Sequence, residues 1–162
     1  MTVISTTPDP ATGTLTLVAE FSAPPKDVWR LWADPRLLER WWGPPTYPAT
    51  FREYEFTVGG EARYHMTGPD GSRSNGFWRL TALDEPRSLE FEDGFADQDG
   101  NPTASLPTSS TRVDFDEVPA GTRMTIVFRY DTAEELERVL AMGMAEGIQG
   151  SFGQMDALLA GA

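Results

Sequence analysis

The sequence predicts an α+β fold, with a curved antiparallel sheet of about six to seven strands wrapped around a long C-terminal helix. Three observations carry this. Runs of alternating apolar residues recur through the middle of the 162-residue chain, separated by short turns. The last thirty residues switch to a repeat of three to four. Two short helical patterns stand between the first alternating run and the others, and no second-domain linker or internal repeat is visible.

The first run is Thr14 to Phe21, where Leu15, Leu17, Ala19 and Phe21 alternate with Thr16, Val18 and Glu20. Residues 1–13, rich in threonine and proline, are read as a flexible lead segment before a single domain at 14–162. Ser22 is a candidate cap for a helix carrying Val28, Leu31 and Trp32 on one face. Asp34-Pro35 starts a second, short helix with Leu37, Leu38, Trp41 and Trp42, which Gly43-Pro44-Pro45 ends. Strands follow at Phe51 to Phe56, Ala62 to Met66, Gly76 to Leu83, Ser88 to Asp93, Thr111 to Val118 and Thr122 to Tyr130. Turns at Pro69-Asp70-Gly71 and Pro119-Ala120-Gly121 make successive pairs antiparallel hairpins. Thr132 and Glu135 have capping-box spacing, and Leu136, Leu140, Met144, Ile148, Phe152, Met155 and Leu159 then form one helical stripe. Gly143, Gly147, Gly150 and Gly153 interrupt that helix, each costing about 1 kcal/mol against alanine. Close approach of another backbone, or a kink, would account for them.

Composition narrows the function. Thirteen basic residues against 25 acidic ones give a net charge of −12, without any basic cluster, which argues against nucleic acid and anionic membrane surfaces as partners. There is no cysteine and one histidine, so thiolate metal sites and cysteine nucleophiles are excluded and no metal or cofactor is called for. No apolar run is long enough to span a membrane, and the N-terminus lacks the pattern of a secretory signal, so a cytoplasmic location is expected.

The stretch Phe21-Ser-Ala-Pro-Pro-Lys-Asp-Val-Trp29-Arg-Leu-Trp32, with Asp34-Pro35 and Trp41-Trp42-Gly43-Pro44, resembles the activator-of-heat-shock-protein-ATPase homologue family of the START-like (SRPBCC) superfamily. Val58-Gly59-Gly60, Gly68-Pro69-Asp70-Gly71, Gly121-Thr122-Arg123-Met124-Thr125 and Met142-Gly143-Met144-Ala145-Glu146-Gly147 continue the resemblance in order. It implies a helix-grip fold. Thr57 stands where family members often carry an arginine, and Ile148 where a tryptophan is usual. The superfamily hosts lipid carriers, cyclases and co-chaperone domains, so the fold alone does not fix the activity.

A sheet wrapped on a helix about 10–12 Å across leaves a gap, where a ligand would lodge. Residues expected to line it are Trp42, Tyr64, Met66, Trp78, Phe91, Phe115, Met124, Phe128, Met144, Ile148 and Phe152, with Phe77 also placed inward. The function expected is binding of a small hydrophobic or aromatic molecule there. A cyclase or dehydratase would need at least two titratable groups converging on the cavity, and a co-chaperone module would need a heat-shock ATPase as partner. His65, between Tyr64 and Met66, is expected on the solvent face. Glu53, Glu55 and Arg79 read as exposed strand residues. Asp97 to Asn101 is a poor match to a calcium loop and is set aside. The surrounding connection, Asp93 to Ser110, is about 18 residues, long enough for a mobile lid. An exposed Trp41-Trp42 pair would favour a homodimer, and a buried pair would not.

Overall fold

The computed structural model describes residues 2–103 and 107–160. Among them, eight strands form one antiparallel sheet: β1 (Thr2–Asp9), β2 (Thr14–Phe21), β3 (Ala49–Tyr54), β4 (Glu61–Thr67), β5 (Arg73–Asp84), β6 (Ser88–Ala96), β7 (Ser109–Val118) and β8 (Gly121–Arg129). Their spatial order is β1-β2-β8-β7-β6-β5-β4-β3. Strands β3 to β8 are a meander, and β8 returns to pair with β2, setting Leu15 opposite Phe128, Leu17 opposite Ile126 and Ala19 opposite Met124. Both edges, β1 and β3, stay unpaired on their outer sides, so the sheet is curved but not closed. Helices α1 (Pro25–Ala33) and α2 (Pro35–Leu38) follow β2, and α3 (Ala133–Ala141) and α4 (Met144–Ala160) follow β8.

Three features depart from expectation. The strand count is eight because β1 forms within the segment read as a flexible lead and pairs with β2 from Thr2↔Glu20 to Asp9↔Thr14. Its threonines and serine carry no apolar alternation, so a period search misses it. The final helix is two helices. At the joint Gly143 takes φ +86°, a left-handed conformation, which breaks the rod. The long connection is shorter than expected, since β6 runs on to Ala96 and β7 begins at Ser109; residues 104–106 of it lie outside the described residues.

Caps follow the sequence in two cases of three. The Asp34 carboxylate accepts from the Arg36 backbone N–H at 2.9 Å, opening α2. Thr132 Oγ1 accepts from the Glu135 N–H at 3.1 Å, opening α3, while the Glu135 carboxylate reaches back to the Asp131 N–H. Helix α1 instead begins on Pro24 with no side-chain cap, so Ser22 does not serve there. The β3 edge is covered by side chains. The Phe51 N–H donates to the Glu39 carboxylate at 2.7 Å and the Arg36 guanidinium donates to the Phe51 carbonyl. This occupies backbone groups that would otherwise invite another strand.

The concave face of the sheet carries the core. Trp32 is fully buried, 4.7 Å from Trp41 and 6.0 Å from Trp78 between ring centroids. Trp78 stacks on Phe91 at 4.3 Å, joining α1, the end of α2 and the central strands into one aromatic cluster. Trp41 and Trp42 are both buried, which removes the exposed pair that a homodimer would have used. Trp41 satisfies its indole N–H on the Leu31 carbonyl at 2.8 Å. Phe77 is corrected as well: being next to Trp78 it points to the opposite face, over Gly94, outside the core cluster.

Candidate functional site

A cavity of about 250 Å³ lies between the concave face and the α3–α4 joint, open to solvent on one side. The sheet contributes Tyr64 and Met66 from β4, Asp93 to Phe95 from β6 and Tyr130 beyond β8. Trp42, Gly43 and Pro44 form a side wall, held in place by Gln154, whose amide donates to the carbonyls of Trp41 and Gly43 at 3.2 and 2.7 Å. The helices supply Val139, Met142, Met144, Gly147, Ile148 and Ser151. The helical glycines now separate by role. Gly143 provides the break. Gly150 approaches Pro44 and Pro45, whereas a Cβ on Gly147 or Gly153 would meet nothing within 4 Å. Gly147 therefore leaves space at the cavity rather than contact.

One carboxyl group stands in this apolar wall. Asp93 Oδ1 accepts a hydrogen bond from the Tyr64 hydroxyl at 3.4 Å. The bond is possible because residue 76, opposite Tyr64 in the ladder, is glycine: a Cβ there would lie 2.4 Å from the tyrosine ring. Burial pushes the Asp93 carboxyl up to about 7, with Tyr64 and the nearby Trp78 indole pulling only partly the other way. Burial, and then the charge of Asp93, hold the Tyr64 and Tyr130 hydroxyls well above the usual phenol range. Tyr130 donates to the Met144 sulfur at 3.2 Å, tying β8 to the start of α4. The site thus presents two neutral phenols and a carboxyl that exchanges its proton near neutral pH.

Of the residues expected to line the gap, the wall includes Trp42, Tyr64, Met66, Met144 and Ile148. Trp78, Phe91, Phe115, Met124, Phe128 and Phe152 stand in the packed core behind it, each at most 3% exposed. Alternation places strand residues on the concave face but does not say which end of that face the helices leave uncovered. Asp93 and Tyr130 were missed as wall residues. Both continue the inward alternation of their strands, Asp93 two residues beyond Phe91 and Tyr130 two beyond Phe128, and that is the signal that would have found them. Among the described residues the indole N–H groups of Trp32, Trp42 and Trp78 are buried without a hydrogen-bond partner, and only Trp42 borders the cavity.

His65 lies on the face opposite Tyr64 as alternation requires, but it is only 8% exposed, so the expected solvent position is corrected. The turn after β6 folds onto that face. The Asn75 amide donates to the Asp97 carbonyl at 3.1 Å, and the Arg63 guanidinium donates to the Gly100 carbonyl. Burial, then the charges of Arg73 and Arg52, lower the His65 pKa against the opposing Glu39, favouring the neutral imidazole. It does not touch the cavity. Glu53 and Arg79 are exposed and paired, Glu53 with Arg63 at 3.5 Å and Arg79 with Glu61 at 3.9 Å, and Glu55 is exposed. The Asp97 carboxylate accepts from the N–H groups of Asp99 and Asn101. Among the described residues no helix is long and apolar enough to cross a membrane.

A family model described as Activator of Hsp90 ATPase homolog 1-like protein matches residues 22–160. A crystal structure of a Mycobacterium smegmatis protein is 48% identical, covers 98% of this chain and 97% of that one, and superposes with a TM-score of 0.91. A solution structure of an Arthrobacter aurescens protein is 46% identical, with coverage of 99% and 94% and a TM-score of 0.94. A crystal structure of a Rhodobacter sphaeroides protein, at 25% identity and coverage of 98% and 99%, has a TM-score of 0.83. No curated protein matches the chain.

Proposed function

The chain belongs to the Activator of Hsp90 ATPase homolog 1-like family, and on that premise we propose that it binds a small hydrophobic or aromatic molecule in the cavity between its C-terminal helices and the sheet. The observation that carries this reading is the cavity itself: open, largely apolar, and bordered by Trp42, Met66, Met144 and Ile148. Unbranched methionines adapt to more than one ligand shape, and tryptophan offers a flat contact surface. The test is titration with neutral single-ring compounds such as 2-phenylethanol, read by tryptophan fluorescence, with mass spectrometry of ligand retained on purification. A saturable change in the wild type, lost in Gly147→Leu, supports the reading. Absence of saturable binding with any such compound overturns it.

A second reading is favoured by the Asp93, Tyr64 and Tyr130 arrangement. A carboxyl titrating near 7 beside two phenols is suited to general acid–base chemistry on a bound substrate, as a cyclase or dehydratase requires. Turnover abolished by Asp93→Asn with binding retained would support it. The family's name also suggests a chaperone partner. The ATPase rate of a purified Hsp90-type chaperone, with and without the chain, tests that directly.

A further inference from the structure

The cavity wall contains one carboxyl group and, among the described residues, no lysine, arginine or histidine. Several other carboxylates of this acidic chain have arginine partners, as in Arg123–Glu20 at 2.8 Å and Arg112–Asp114 at 3.0 Å. Among the described residues the Asp93 carboxyl has one hydrogen bond, the long one from the Tyr64 hydroxyl, which leaves acceptor capacity free. Among those same residues the groups facing it are uncharged. Tyr64 comes from β4, Trp78 from β5 and Tyr130 from the end of β8, while α3 and α4 turn apolar and hydroxyl side chains toward the space.

We propose that the cavity is selective for small apolar or aromatic amines, bound as the ammonium with the charge against Asp93 and the hydrocarbon against Trp42, Met66 and Ile148. This rests on the ligand-binding reading and specifies its ligand class. Three arguments converge on it. Asp93 is half-buried, where a carboxylate is stabilised by a cation, and a charge-assisted hydrogen bond is roughly twice as strong as a neutral one. The rings of Trp42, Tyr64 and Tyr130 border the same space, and an aromatic ring attracts a nearby cation. An anionic ligand would meet a carboxylate with no compensating positive charge, and the net charge of −12 repels anions and concentrates cations around the whole molecule. The volume, about 250 Å³, suits one ring with a short chain rather than a sterol or a fatty acyl chain.

Three probes of matched size separate the possibilities: 2-phenylethylamine, 2-phenylethanol and phenylacetate, titrated calorimetrically into the full chain at pH 8. The expected order is the amine at least tenfold tighter than the alcohol, with phenylacetate weakest. In Asp93→Asn, an isosteric change, the amine loses its advantage over the alcohol. Tyr64→Phe, which removes only the hydroxyl, keeps the preference for the amine. Equal binding of amine and alcohol by the wild type, or tighter binding of phenylacetate, overturns the amine assignment and leaves the apolar-ligand reading standing. Binding of none of the three overturns both. The wild-type comparison decides the matter even if a variant fails to fold.

Discussion

Between pH 4 and pH 7, folded Asp93 keeps a proton that the unfolded chain gives up, because burial raises the carboxyl from 3.8 to about 7. The folded state therefore binds more protons in that window, and stability falls as pH rises through it; the loss is complete above about pH 7. Asparagine at this position cannot ionise and escapes the penalty. Urea denaturation should show Asp93→Asn more stable than wild type at pH 8, by up to about 4 kcal/mol, and equal to it at pH 4. A difference that does not change with pH would contradict this account of the carboxyl. Gly76 is the other residue on which the site turns. Gly76→Ala drives a methyl into the Tyr64 ring, and we expect a loss of about 1–3 kcal/mol together with displacement of the hydroxyl from Asp93, visible as a changed Asp93 titration by NMR.

Helix α4 tests the separation of its glycines. Gly153 is exposed, with nothing near its missing Cβ, so Gly153→Ala should stabilise the chain by about 0.5–1 kcal/mol through helix propensity and leave ligand binding unchanged. Gly147→Ala should give a similar rise in Tm but weaken binding, because that residue borders the cavity. Gly143→Ala should destabilise by about 1–2 kcal/mol, since an L-residue at φ +86° is strained. Thermal melts of the three variants alongside probe titration distinguish these outcomes. The sequence made most elements legible because alternation marked β2 and β4 to β8 and helical spacing marked both ends of the chain's α content. It did not show that Gly143 is a break while Gly147 and Gly153 remain helical, because all three are the same residue within one continuous helical pattern. Only the backbone angle separates them. For the site, Tyr64, Met66 and Ile148 were legible, whereas Phe128 and Phe152 shared the same pattern and proved to be core. Which concave residues stay uncovered depends on where the helix turns, and that turn is set at Gly143.

For the molecule as a whole, the two sheet edges differ in protection. Glu39 and Arg36 occupy backbone groups of β3, while β2 is shielded from solvent by β1. Removal of residues 1–9 should expose the outer backbone groups of β2 and shift the chain toward dimers or larger species in light scattering. A truncated chain that stays monomeric would show that β1 has no such role. The fold also explains how so acidic a chain keeps a carboxyl inside. The aromatic cluster of Trp32, Trp41, Trp78 and Phe91 is buried in the core, and Asp93, paired with Trp78 across β5 and β6, stands where that core meets the cavity.

The joint at Gly143 makes the two C-terminal helices work as the arms of a calliper. The arm beyond it is braced past its midpoint by Gln154, and Tyr130 grips Met144 close to the pivot. A rotation at the pivot would change the width of the cavity, since residues of both arms border it. On the proposed ligand-binding reading, guests of slightly different girth would be clasped by such a hinge, and the amides on either side of it are where hydrogen exchange should slow on adding a ligand.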